Sequence, residues 1–194
     1  MKRLLTCLAL AVALPLFAQS PDKGSTERAF PAAGKIWMDL SAGDYEIRSG
    51  SEPKIVVRWA GRKSSRDIKV TLRTEGSQAW IETDGAKHVD KVTIDVPGRS
   101  DLDVKMSAGD LRIEGIEGNK NVSLLAGDLN IDVGRTSDYK TLDASVKVGD
   151  LNARAFNVSK GGLWRSFTWQ GPGRYALYVS LLAGDLTLSS ASSK

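Results

Sequence analysis

Five Gly-Asp pairs place a carboxylate in the same setting again and again: Gly43-Asp44, Gly109-Asp110, Gly127-Asp128, Gly149-Asp150 and Gly184-Asp185. The chemistry such a repeat suggests is calcium coordination by oxygen ligands. Parallel β-rolls do this with a G-G-x-G-x-D-x-U-x nonapeptide, in which one residue separates the nearest Gly from Asp. Here the two are adjacent, no second glycine precedes them, and no nine-residue period exists. Carboxylates satisfied by backbone amides are the favoured reading. No metal or other cofactor is assigned, and a calcium-stabilised surface roll stays as an alternative.

Catalytic chemistry is thinly provided for. The one histidine, His88, stands in a polar turn sequence, DGAKHVDK. The one cysteine, Cys7, lies in the apolar N-terminal run, so the remaining chain offers neither a thiol nucleophile nor a Cys-ligated metal. Neither G-x-S-x-G nor H-E-x-x-H occurs. Carboxylates are numerous enough for a glycosidase or lyase pair, but spacing alone brings no two together. The expectation is therefore a non-enzyme. The alternative, a β-helical carbohydrate-active enzyme, requires a groove with clustered Asp or Glu outside the turns.

Aromatic residues gather late, in GLWRSFTWQGPGRYALY (162–178). Beside Arg165 and Arg174, the side chains of Trp164, Trp169 and Tyr175 are candidates for stacking on sugar rings. The competing and favoured role is to cap the end of a core.

Positioning these groups falls to a chain that reads as an exported β protein. Lys2 and Arg3, the apolar run Leu4–Leu14 and the small residue Ala18 read as a signal peptide over 1–18, too short for a membrane span. Residues 19–34 read as a flexible lead-in, 35–189 as one all-β domain and 190–194 as a tail. Without Lys2 and Arg3, 25 basic residues face 23 acidic ones. That near balance argues against a nucleic-acid partner. No later stretch has the length and apolarity of a transmembrane segment.

The strand signal is alternation. IVVRWAG (55–61), DIKVTLRTEG (67–76), AWIETDG (79–85) and KVTIDVPG (91–98) alternate apolar with polar and end in Gly or Pro-Gly. At every Gly-Asp pair the alternation shifts by one residue: Val104 and Met106 give way to Leu111 and Ile113, Val122 and Leu124 to Leu129 and Ile131. A one-residue slip turns a strand inside out unless the backbone bends there. Glycine supplies the positive φ such a corner needs, and Asp can accept from a nearby amide. The pairs thus read as corners in a β-solenoid, a single-stranded, β-helix-like stack of short strands. Its expected inward residues are Val104, Met106, Leu111, Ile113, Val122, Leu124, Leu129, Ile131, Val146, Val148, Leu151, Leu181, Leu186 and Leu188. In sequence-ordered stacking, Asp110, Asp128 and Asp150 share one edge.

VTIDVP (92–97), the AGDL-x-I turns and the closing RSFTWQGPGRYALYVSLLAGDLTL (165–188) together resemble a family of exported bacterial proteins labelled “putative adhesin”, over residues 35–189. The resemblance implies a β-solenoid-like fold on the cell envelope and carries no catalytic residues. The functional expectation is a non-enzymatic protein, periplasmic or on the cell surface, that presents a β face to envelope polysaccharide or to another surface protein.

Overall fold

Apolar side chains at every second position share one face only in an extended chain. The computed structural model, which describes residues 23–60 and 68–190, is built accordingly: seventeen strands, three single 3-10 turns and no α-helix among those residues. The leader over 1–18 and the end of the tail lie outside the described residues.

The strands form two mixed sheets. One has the order β1 (Lys23–Ala29), β4 (Lys54–Ala60), β7 (Lys91–Pro97), β3 (Tyr45–Gly50), β9 (Leu111–Glu114), β11 (Leu129–Asp132), β17 (Leu186–Ser189), β13 (Leu151–Ala153), β14 (Val158–Lys160). The other runs β15 (Leu163–Gln170), β12 (Tyr139–Val148), β16 (Tyr175–Ala183), β10 (Lys120–Ala126), β8 (Ser100–Ala108), β2 (Gly34–Leu40), β6 (Gln78–Asp84), β5 (Lys69–Glu75). From β7 to β13 and from β12 to β6 neighbouring strands are parallel; antiparallel strands close each margin.

Each Gly-Asp pair joins a strand of the eight-stranded sheet to one of the nine-stranded sheet, as in β8–β9 or β16–β17. Parallel register then lines identical positions up in ladders. Tyr45, Leu111, Leu129, Leu186 and Leu151 form one inward row, and Ile47, Ile113, Ile131, Leu188 and Ala153 the next. All are buried, and both sheets contribute to one hydrophobic cluster. Each leucine or isoleucine among them contributes about 1.5–3 kcal/mol by leaving water.

Two expectations about burial and order need correcting. Val148 is 51% exposed although its phase is inward. The reason is its place directly before Gly149, where the chain has already begun to turn; Ala108, Ala126 and Ala183 at the equivalent position are likewise not buried. The stacking order is also not the sequence order. The unit at Gly184 lies between those at Gly127 and Gly149, so Asp128 and Asp150 are not neighbours.

The lead-in differs too. Residues 23–29 are not a flexible segment but β1, paired antiparallel along the whole of β4. They are followed by Phe30, which is fully buried. The polar composition of KGSTERA hides a strand because β1 is a margin strand whose own side chains are largely exposed.

The corners themselves form a column. The amide of Gly43 donates to the carbonyl of Ala108, Gly109 to Ala126, Gly127 to Ala183 and Gly184 to Val148, each at 2.9–3.0 Å. At Gly184 (φ 128°) a Cβ would overlap the carbonyl oxygen of Gly127, and at Gly127 (φ 127°) that of Gly109. Glycine is required there twice over, by backbone angle and by the closeness of the next corner. Gly43 is different: its φ is not in the left-handed region, and its Cβ would meet Ala86 instead.

A groove across the eight-stranded sheet

The outward faces of the two sheets have different chemistry. On the nine-stranded sheet charges pair off: Asp95 takes both Arg48 and Arg58, Lys91 reaches Glu46 at 2.9 Å, and Arg112 binds Glu114. The eight-stranded sheet carries charges over β5, β6, β2 and β8, the Arg73–Glu82 pair among them, and mainly apolar, aromatic and small polar groups over β10, β16, β12 and β15.

Register assembles them into rows that run across the strands. One row takes one residue from each strand: Ser166, Ser145, Ser180, Ser123, Lys105, Asp39, Glu82 and Thr71. Away from the corners it is flanked by a row containing Tyr178, Trp37 and Trp80. On the corner side stand Leu125, Leu182, Lys147 and Trp164. Short side chains between taller ones make a groove. Over β5, β6, β2, β8 and β10 it encloses about 600 Å³, lined by Thr71, Glu82, Asp39, Lys105, Ser123 and Leu125. A second hollow of about 250 Å³ lies against Trp37 and Trp80 and shares Asp39, Glu82 and Lys105.

Trp37 and Trp80, on adjacent strands, stack with centroids 5.3 Å apart and planes 8° from parallel. The ammonium of Lys35 lies 4.7 Å over the Trp37 ring. Nearly parallel rings separated by about one inter-strand distance must stand up from the sheet, so they form a wall rather than a floor. Sequence reading overlooked this pair, yet its signal was present. Ile36, Met38 and Leu40 fix the inward phase of one strand and Ala79 and Ile81 that of the other. A tryptophan in the opposite phase of each must face out.

The late aromatics separate into two kinds. Trp164 is 75% exposed, sits at φ 55°, and lies 5.6 Å from the Lys147 ammonium. Trp169 packs on Phe156 at 5.1 Å and is half-buried at the core margin. Tyr175 meets Tyr139 edge-on at 6.3 Å, with the Arg174 guanidinium over it. Of Trp164, Trp169 and Tyr175, only Trp164 stands beside the serine row, on the side opposite Tyr178.

Two of the corner carboxylates, Asp185 and Asp128, bond along the column. Asp185 Oδ1 accepts the amide of Asp150 at 2.9 Å, and Asp128 Oδ1 accepts that of Asp185 at 3.3 Å. They thus bond to the next corner rather than to their own turn. Among the described residues no three or more acidic, His or Cys side chains converge as a metal site requires. The side chain of His88 lies outside the described residues. In the groove, Glu82 is ion-paired with Arg73 at 3.3 Å, and Asp39 stands opposite it on the parallel neighbour, both exposed to water.

One buried charge lies elsewhere. Lys120 occupies an inward position between Leu102 and Leu177 and is 1% exposed. Its Nζ donates to the Tyr139 hydroxyl at 2.9 Å and to the Gly118 carbonyl at 3.3 Å. Burial lowers its pKa to about 8, against the pull of Asp132, Asp101 and Glu117. Burial also raises the Tyr139 phenol, helped by Asp132 and Asp138.

No protein-family profile matches the chain, and no curated protein matches it. Solved structures do. A protein from Clostridium sporogenes described as a “putative cell adhesion protein” is similar over 88% of this chain and all of its own, with a TM-score of 0.56 at 11% identity. A “putative adhesin” from Bacteroides fragilis covers 87% of this chain and 98% of its own at 11% identity, with a TM-score of 0.29. A “putative lipid binding protein” from Parabacteroides distasonis covers 88% and 95% at 9% identity, with a TM-score of 0.26. Of these, the first shows a shared fold. No helix among the described residues is long and apolar enough to cross a membrane.

Proposed function

We propose that the chain is an exported, non-enzymatic protein of the cell envelope, built as a solenoid-like stack, which binds a partner through the outer face of its eight-stranded sheet. The stack is supported by parallel register between successive strand–corner–strand units and by the amide ladder through the corners. The observation that carries the binding reading is the contrast between faces. One is closed by ion pairs, while the other leaves Leu125, Leu182, Tyr178 and Trp164 exposed beside a row of small polar groups. Exposed apolar side chains grouped in this way mark interaction surfaces. The adhesion role ascribed to the similar Clostridium sporogenes protein agrees with this reading.

The test compares two faces. Mature protein is incubated with isolated envelope material and sedimented, alongside Ser180→Glu on the eight-stranded sheet and Thr187→Glu on the opposite sheet. Loss of cosedimentation in Ser180→Glu alone is expected. Loss only in Thr187→Glu would move the site to the other sheet.

A second reading has one observation in its favour: Asp39 and Glu82 adjoin in the groove, as a carbohydrate-active enzyme requires. A general acid works from an apolar site closed off from bulk water. Glu82 instead carries an arginine and both groups are open to water, so binding is preferred to turnover. Hydrolysis of a polysaccharide that disappears in Glu82→Gln would reverse that preference.

A further inference from the structure

We infer that the outer face of the eight-stranded sheet takes a linear, uncharged glycan of β-linked pyranose rings, laid across the strands along the Ser123–Ser180–Ser145–Ser166 row, which leads away from the 600 Å³ groove at Ser123. This deepens the binding reading above and rests on it. Three features select the ligand. First, four hydroxyls stand on four adjacent strands, one per strand, each the register partner of the next. Adjacent strands are about 4.8 Å apart, close to the length one residue adds to an extended β-1,4-linked chain. Successive sugars therefore meet the same chemistry at each step, which a peptide or a branched glycan would not.

Second, the flanks suit the faces of a sugar ring. Leu125 (55% exposed), Leu182 (45%) and Trp164 (75%) border one side, with Lys147 among them, and Tyr178 (48%) stands on the other between Asn121 and Asp143. Pyranose rings present C–H groups on their faces and hydroxyls at their rims. Apolar side chains on the flanks with hydroxyls along the floor match that division.

Third, the charge is right for an uncharged partner. Across β10, β16, β12 and β15 the outward side chains in these three rows include only two ions, Asp143 and Lys147. An acidic polysaccharide or a nucleic acid would find no row of cations there. Towards β5 the row turns ionic, with Lys105, Asp39 and Glu82. That end would receive a terminus or a substituent rather than another plain ring.

The experiment uses the mature full-length chain and soluble cello- and chito-oligosaccharides of two to six residues, with binding followed by calorimetry. Affinity for one of the two series is expected to rise at least tenfold from disaccharide to hexasaccharide, as more of the row is covered. Ser180→Tyr fills the row with a residue that suits an exposed strand and should abolish binding with the fold intact by circular dichroism. Trp164→Ala should weaken it severalfold. No binding of either hexasaccharide, or binding that survives Ser180→Tyr, would overturn the inference. So would self-association through this face, seen as a dimer by ultracentrifugation in the wild type and a monomer in Ser180→Tyr. If envelope binding is abolished by protease while oligosaccharides fail, the face is a protein-binding surface: the glycan falls and the binding reading stands.

Discussion

The ammonium of Lys120 lies 2.9 Å from the hydroxyl of Tyr139, inside a sheet interface where its strand neighbours are Leu102 and Leu177. The pair makes stability depend on pH in a particular window. Unfolded, the lysine titrates near its ordinary 10.5; folded, near 8. Between these values the unfolded chain holds the extra proton, so stability rises with pH from about 8 towards 10. Above about pH 10 the buried phenols act the other way. Tyr139 and Tyr45 keep in the folded state a proton that the unfolded state loses. Denaturant midpoints should therefore peak near pH 10, with a gain of roughly 2 kcal/mol over pH 7. Lys120→Met should flatten the rise; an unchanged rise in that variant would clear Lys120 of responsibility.

The corner column predicts unequal glycines. Gly184→Ala must place a Cβ against the carbonyl of Gly127 at a left-handed φ, and a loss of about 3 kcal/mol or more is expected. Gly43→Ala meets only the Ala86 methyl group and backbone at 2.9–3.1 Å, and about 1 kcal/mol should suffice. Gly127→Val should likewise unfold far earlier than Asn130→Thr, whose site is an exposed strand position. Thermal melts of the four variants check the order, and equal midpoints would contradict it.

Carboxylates bonded to amides need no cation. Asp185→Asn keeps an oxygen for the Asp150 amide and should cost little, whereas Asp185→Ala should cost about 1 kcal/mol. A chelator should leave the melting temperature of the wild type unchanged, and calcium should not raise it. A clear calcium-dependent rise, lost in Asp185→Asn, would restore the metal reading.

The Trp37–Trp80 stack has an optical signature. Two indoles 5.3 Å apart and nearly parallel couple their transitions, so the wild type should show a paired positive and negative tryptophan band in circular dichroism. Either Trp37→Leu or Trp80→Leu should erase it while lowering stability by roughly 1 kcal/mol. Survival of the band in both variants would mean that the stack is not the source.

What the sequence disclosed followed from what alternation can encode. The phase shift at Gly-Asp made Leu111, Ile113, Leu129 and Ile131 recognisable as inward, and they are buried. Val148 obeyed the same rule on paper and failed because alternation does not say where a turn begins. Strand order was hidden because parallel partners are chosen by packing, with no short connection to betray them. Ser123, Ser180, Ser145 and Ser166 come from four strands spread over 58 residues, so their row exists only once that order is known. Trp37 and Trp80 were readable, since both lie in the outward phase of clear strands. Lys120 was not: a lysine at an inward position reads as a broken pattern until Tyr139 is seen beside it.

Of the five strand–corner–strand units, the one spanning β16 and β17 is synthesised after the other four, yet it lies inside both sheets, between β10–β11 and β12–β13. Until residues 175–189 leave the ribosome, β10 and β12 each expose an unpaired parallel edge, the kind most prone to joining another molecule. The chain must hold that gap open, or be held by a chaperone, until this unit arrives to close it. The near-identical LLAGDLNI and LLAGDLTL then make the newcomer compatible with its neighbour. They also make the N-terminal copy of one molecule a ready substitute for the missing strand of another.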